Sequence, residues 1–441
     1  MLKPRLVRFH QKFKNIFWHL PKSIYFSLKY GFPSRKLVLI GVTGTDGKTT
    51  TCALIHEVLK QSGIKAGLIT TIGAKIGDGD INTGLHTTSP DPAIVQDLFK
   101  KMVKNGLTHA VCEVTSHSLD QNRFWGCHFK VSVVTNTSHE HLDYHQNMDN
   151  YINSKAKLFN ISDFAVLNKD DASFRRIVSQ INCPYATYSI KSKSDLQAKN
   201  IKLGNALSFY VKKELFKTDS NYQYQIYNIL AALGVCQNLK INLNTFKSTI
   251  LKFPETKGRR EEINNNFKFK TIIDFAHTPT ALESTLRSLK RITPGNLIVI
   301  FGATGGRDKT KRPFMGETVS RLANIALITS DDTRNEKIED INKQIISGIN
   351  SKTSEYIEPA ALETSSQYSK IAQSAKKKFT YFNIPNRQDA FNLALKLAQT
   401  GDTIIACGKG HETSILLGNT EYPWSEAEAF RTAFKHRNLA Q

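Results

Sequence analysis

The chain has 441 residues, 40% hydrophobic and 22% charged, a balance that excludes a disordered or fibrous protein and leaves room for two or three ordinary domains. Sixty Lys and Arg against 38 Asp and Glu give a formal charge of +22; nucleic acid, an anionic membrane surface or a polyanionic small substrate would each account for it. Six scattered cysteines without a Cys-x-x-Cys pair argue against a disulfide scaffold and suit a reducing cytoplasm, and no apolar run approaches the ~20 residues of a membrane span.

Residues 1–36 carry nine Lys or Arg, no acidic residue and interleaved aromatics. Phe9, Phe13, Ile16, Phe17 and Leu20 recur at helical spacing until Pro21 interrupts them. The unbroken apolar core of a secretory signal is missing. A basic amphipathic helix of this kind rests either on anionic lipid or on the protein's own core with its charges solvated.

From residue 37 short apolar strands alternate with helical segments, the pattern of a parallel α/β sheet. "LVLIGV", "AGLITT", "HAVCEV", "VSVVTN" and "FAVLN" read as strands. The polar stretches "TGTDGKTT", "EVTSHSLDQNR" and "TNTSHEHLDYH" begin where strands end, so they are expected to face one crevice. A second series starts near residue 268 with "FKTIIDFAHTP", "NLIVIFGATGGRDKTKR", "IALITSDDTRNE" and "DTIIACGKGHE". The break at "KFPETKGRREE" divides a central domain, 37–256, from a C-terminal domain, 257–441. Residues 351–378 are polar and weakly periodic, and read as an inserted surface segment.

The stretch "GVTGTDGKTTT" follows a strand and opens a helix, as a phosphate loop does, yet two residues separate its glycines where the Walker pattern has four. Gly44 and Gly47 let backbone N–H groups close on phosphate oxygens, Lys48 supplies a charge and Thr49 a hydroxyl for Mg²⁺. Glu113, emerging from an apolar strand, is a candidate metal carboxylate. "SHEHLDYH" offers His139, Glu140, His141, Asp143 and His145, but Asp143 stands where a zinc His-Glu-x-x-His pattern needs its second His. A Mg²⁺-linked role ranks above zinc, and a solvated polar loop third.

Eleven stretches, among them "GVTGTDGKTTT", "TTSPDP", "EVTSHSLDQNR", "YINSKAKLF", "YNILAALG", "GRREE", "SDDTRNE" and "GKGHE", stand in the order found in Mur ligases. The chain resembles that family over roughly residues 37–430, and most of all the branch that adds a diamino acid to the peptidoglycan precursor. The short glycine spacing is that family's own loop form. The resemblance implies a central P-loop ATPase domain followed by a Rossmann-like domain. It also implies that ATP activates a carboxylate as an acyl phosphate, from which an amine displaces phosphate.

By the same resemblance Gly44, Thr45, Asp46, Gly47, Lys48, Thr49 and Thr50 hold the phosphates. Asn228 meets adenine, Arg259 a phosphate and Asp274 the ribose. Thr49, Glu113, His141 and a carbamylated Lys155 serve Mg²⁺, with Lys48, Glu113, His141 and Lys155 carrying the catalysis. Thr87, Thr88, Thr115, Gln121 and Arg123 should meet a muramyl dipeptide precursor. Arg307, Asp331, Asp332, Thr333, Arg334, Gly408 and Glu412 should meet the diamino acid.

Four positions depart from the family pattern. Thr115 replaces Ser, Glu140 replaces Asp, and Gln225 replaces Asn. The selectivity motif Asp-Asn-Pro-Arg reads Asp331-Asp332-Thr333-Arg334. Retention of Arg334 favours meso-diaminopimelate, with lysine or another diamino acid as alternatives.

Relatives of this type begin with a domain that holds the uridine diphosphate end of the acceptor. The 36 residues before Leu37 fall below the ~40 that usually fold unaided, so that domain is expected to be missing and uridine to matter less. A cytoplasmic monomer without nucleic acid is expected. The runner-up is another ligase of the superfamily, such as a folylpolyglutamate synthetase, which the "GKGHE" and "SDDTR" loops oppose. A basic P-loop ATPase on nucleic acid ranks last.

Overall fold

The strand Val38–Thr43 lies between two parallel neighbours, His109–Glu113 and Phe129–Val134. Both its faces are covered, as the apolar run requires. Ile40 and Val42 pack with the helices Lys48–Gln61 and Tyr224–Asn238, while Leu39 packs with the helix Pro92–Lys104. Register sets Glu113 beside Val42, one strand away from the loop that follows Thr43.

The computed structural model describes residues 4–77, 79–81, 90–204, 206–220, 222–253, 256–362 and 364–439. The chain divides into two compact units, Met1–Pro254 and Glu255–Gln441. The first holds an 11-stranded sheet whose parallel centre is extended by antiparallel hairpins, Leu207–Val211 with Glu214–Thr218 at one edge and Gly73–Ile76 with Gly79–Ile81 at the other. The second holds a seven-stranded sheet. Arg259–Glu262 pairs antiparallel with Lys270–Asp274, and Thr403–Cys407, Leu297–Phe301, Ile325–Ile328, Phe379–Asn383 and Ser354–Tyr356 follow in parallel.

Two expectations need correction. Residues 351–378 are not an insertion: Ser354–Tyr356 is the edge strand of the second sheet. Ser365–Ser374 is a helix opened by a Thr364–Gln367 capping box, and it buries Ile371 and Ala372. A three-residue edge strand and a short buried stripe leave too little apolar periodicity to be read. The apolar stripe of the N-terminal helix is not docked on the protein's core either, because Phe13, Ile16 and Phe17 are exposed.

All six cysteines are free, five of them buried. Among the described residues no helix is long and apolar enough to cross a membrane.

Candidate active site

The loop after Val38–Thr43 takes backbone angles that favour glycine at two points, φ 149° at Gly44 and 80° at Gly47. A Cβ at Gly44 would stand 1.8 Å from Thr135 Oγ1, and one at Gly47 would stand 2.4 Å from Asn228 Oδ1. The loop is held from the side by the segment after Phe129–Val134. Thr45 N donates to Asn136 O (2.8 Å) and Asp46 N to Asn136 Oδ1 (2.9 Å). Asp46 O accepts from Thr135 Oγ1 (2.7 Å) and Asn136 Nδ2 (3.0 Å). Such a frame fixes the loop before any anion arrives, so less ordering is needed on binding.

Lys48 and Thr49 open the helix Lys48–Gln61, with Thr50 in the same first turn. Lys48 Nζ donates to Thr45 O (2.7 Å) and lies 3.9 Å from Glu113 Oε1. Thr49 Oγ1 donates to Glu113 Oε2 at 2.9 Å. Glu113 is buried and also accepts from the Thr71 hydroxyl (3.0 Å) and backbone N–H (3.2 Å). A hydroxyl and a carboxylate therefore sit together at a helix N-terminus, where an anion is favoured.

Lys155, on the helix Met148–Ala156, is 1% exposed. Its Nζ donates to Gly44 O at 2.6 Å and lies 4.3 Å from the centre of the Tyr151 ring. Burial first, and then Lys48, push its pKa well below the ordinary lysine value. His141 adopts φ 56°, and its ring is 4.6 Å from His117 and 6.3 Å from Tyr151. Tyr151 thus has both Lys155 and His141 in its surroundings. His145 bonds Ser116 Oγ at 3.0 Å and is held neutral, its pKa pushed down to about 2 by burial and His117.

Thr115 caps the helix Ser116–Asp120, its hydroxyl accepting from Ser118 N at 3.2 Å. Arg123 grips Gln121 Oε1 through Nε (3.0 Å) and Nη2 (2.7 Å), and Gln121 Nε2 donates to Tyr144 OH (3.4 Å). Thr87 and Thr88 lie outside the described residues. Asn228 is buried, donating to Gln225 Oε1 (2.9 Å) and accepting from Thr51 Oγ1 (3.4 Å). Gln225, the departure from the family pattern, is therefore a partner of Asn228.

In the second unit Asp274 ends its strand with its carboxylate on backbone, accepting from Ala276 N and Arg260 N, both at 2.9 Å. Arg259 lies over the Phe275 ring, 4.3 Å from its centre. Gly408 adopts φ 113°, and a Cβ there would stand 2.7 Å from Asp331 Oδ2.

Lys409, fully buried, pairs with Asp332 Oδ1 (2.8 Å) and Glu412 Oε2 (2.5 Å). Burial opposes its charge, but Asp331, Glu412 and Asp332 together hold the ammonium above its ordinary range. Burial pushes the Glu412 carboxyl up. Thr333 N donates to Leu416 O (2.8 Å), and Arg334 follows at φ 50°. Arg307 is half-buried in the loop after Leu297–Phe301.

Residues 42–236 match the model of the Mur ligase middle domain, and 258–410 that of the Mur ligase, glutamate ligase domain. A UDP-N-acetylmuramoyl-L-alanyl-D-glutamate--2,6-diaminopimelate ligase 1 of Clostridium acetobutylicum is 36% identical over 406 residues, covering 90% of this chain and 78% of the relative. The chain belongs to the Mur ligase family.

Solved Mur ligases share the fold. A structure of a UDP-N-acetylmuramoyl-L-alanyl-D-glutamate--2,6-diaminopimelate ligase aligns with TM-score 0.59 at 26% identity, covering 91% of this chain and 79% of that one. Folylpolyglutamate synthase of Mycobacterium tuberculosis aligns with TM-score 0.70 over 94% of this chain and 95% of its own, but at 13% identity it shares the fold alone.

Sequence reasoning about this Mur ligase missed three supporting residues. Asn136 holds the phosphate loop, Tyr151 stands beside Lys155, and Lys409 ties Asp332 to Glu412. Each lies inside a quoted motif. A lysine between two glycines directly after an apolar strand was the available sign that Lys409 is buried.

Proposed function

We propose that this Mur ligase joins meso-diaminopimelate to the D-glutamate carboxylate of UDP-N-acetylmuramoyl-L-alanyl-D-glutamate while ATP is cleaved to ADP and phosphate. The observation that carries this reading is the 36% identity, over nine-tenths of the chain, to a ligase named for that acceptor and 2,6-diaminopimelate.

The residues fit ATP and Mg²⁺. At Gly44 and Gly47 the backbone approaches its neighbours where a Cβ would collide, which suits a close phosphate cradle. Thr49 and Glu113 are hard oxygen donors. Among the described residues no group of three His, Cys, Asp or Glu is arranged for a metal, and nucleotide-site Mg²⁺ is typically held by one or two carboxylates plus phosphates. When bound, the nucleotide and its ion supply the activating phosphoryl group and neutralise its charge.

The protein's own residues do the rest. Lys48 adds a positive charge beside the loop. Lys155, as a neutral buried amine, adds to CO₂: the nitrogen lone pair forms the N–C bond, one C=O π pair moves onto oxygen and the nitrogen gives a proton to water, so a neutral amine becomes an anionic carbamate. His141, whose ring has Tyr151 in common with Lys155, completes the metal side. Gln121 and Arg123 present donors to the acceptor peptide. Arg307 and Arg334 answer the distal carboxylate of the diamino acid, and the acidic set around Lys409 answers its ammonium groups.

Mass spectrometry of the acceptor after incubation with ATP, Mg²⁺ and meso-diaminopimelate tests the proposal. Gain of one diaminopimelate residue supports it, and unchanged acceptor opposes it.

A further inference from the structure

The N-terminal helix is docked inside out. It runs through Pro4–Lys14, a π-helical turn Asn15–His19, and Leu20–Tyr30. Its inner face is polar. Arg8 Nη1 and Nη2 donate to Asp120 Oδ2 (2.9 Å) and Oδ1 (3.2 Å), and Asn15 Nδ2 donates to Asp120 Oδ2 (2.8 Å). Ser27 Oγ donates to Trp125 O (2.9 Å) and accepts from Gln96 Nε2 (3.2 Å). Asn15, Ser23 and Ser27 are buried.

The π turn makes this possible. The eight residues from Asn15 to Ser23 would leave them about 80° out of phase in an uninterrupted α-helix. A wider turn absorbs the extra residue, and both keep to the inner face.

The outer face is apolar. Phe13, Ile16, Phe17, Trp18, Tyr25 and Leu28 are each 52–64% exposed. A contiguous aromatic surface of this kind on a folded protein marks an interaction site. Charge selects the occupant. Residues 1–36 carry nine cations and no anion, so a second copy would set like charge against like, and an anionic surface is required. Phe, Trp, Tyr and Leu flanked by the exposed Lys12, Lys14 and Lys29 match a helix lying flat in the headgroup region of an anionic bilayer.

We infer that the outer face of helix 4–30 is a membrane-docking surface, which seats this Mur ligase on anionic lipid by inserting the Phe13–Phe17–Trp18 wedge and pairing its lysines with headgroups. The polar tethers to Asp120 make the helix part of the first unit, so docking fixes that whole unit at the bilayer.

Flotation of the full-length protein with vesicles tests this without reference to catalysis. The protein should rise with phosphatidylglycerol–phosphatidylcholine vesicles and stay down with pure phosphatidylcholine. A Phe13→Ser/Phe17→Ser/Trp18→Ser variant, altered at exposed positions and keeping the wild-type Tm, should lose flotation. Lys12→Gln and Lys14→Gln should each weaken it about fivefold. Three results would overturn the inference: wild type that stays down with phosphatidylglycerol vesicles, a triple variant that floats as wild type does, or sedimentation of wild type as a dimer that the triple variant dissociates.

Discussion

Lys155 Nζ donates to the carbonyl oxygen of Gly44 at 2.6 Å, which joins the helix Met148–Ala156 to the first residue of the phosphate loop. A buried ammonium here would face Lys48 as well as desolvation, and both favour the neutral amine. Lys155→Ala should lower kcat by about 100-fold or more, as losing one preorganised charge in an active site does, and acetate should restore part of it. A ¹³C carbamate signal in wild type, absent from the variant, checks the chemistry. Activity within twofold of wild type in the variant would contradict it.

Glu113→Gln keeps the shape of the buried carboxylate beside Thr49 and removes its charge. Stopped assays should show kcat reduced by ~10²–10³, about 2.7–4 kcal/mol, with the Tm essentially kept. Lys48→Ala should do the same. Wild-type turnover in the first variant would mean that the Thr49–Glu113 pair has no part in handling phosphate, and in the second that Lys48 has none.

Asp332→Asn restores the family residue and withdraws one of the charges paired with Lys409, leaving Glu412 at 2.5 Å. With one negative charge fewer near a substrate carboxylate, the ratio of kcat/KM for meso-diaminopimelate over L-lysine should rise several-fold. Loss of one charged hydrogen bond should lower stability by about 1–3 kcal/mol. A falling ratio would show that Asp332 aids recognition of diaminopimelate.

Stability should decline in mild acid. Burial holds His145 and His411 neutral in the fold, with pKa values pushed down to about 2 and about 3 from 6.5. Below pH 6.5 the unfolded chain takes up protons that the folded chain refuses, so stability falls with pH, by up to about 1.4 kcal/mol per unit for each histidine. Tm measured from pH 7 to 5 should drop, and the slope should flatten in His145→Asn/His411→Asn. An unchanged slope would refute this assignment.

The parts of this fold that were legible in sequence are those where burial writes a continuous pattern. Val38–Thr43 and Leu297–Phe301 are covered on both faces, so they read as unbroken apolar runs ending in polar loops, and those loops hold Gly44, Gly47 and Arg307. The N-terminal helix was illegible for the opposite reason. Its apolar stripe left lipid and the protein's own core equally open, and a single buried carboxylate, Asp120, decides between them by recruiting Arg8 and Asn15 and turning that stripe outward. No local pattern announces a partner 105 residues away. Lys409 was passed over because a lysine reads as surface unless its partners, Asp332 and Glu412, are seen around it.

Phosphate release in a mixture of the protein, ATP, Mg²⁺ and UDP-N-acetylmuramoyl-L-alanyl-D-glutamate, with single amino acids added in turn, decides which amino acid this ligase adds. Turnover should depend on meso-diaminopimelate, with L-lysine and L-ornithine well below it and L-glutamate inert. Release that ignores the added amino acid, or that responds best to glutamate, would contradict the assignment of this chain as a diaminopimelate-adding ligase.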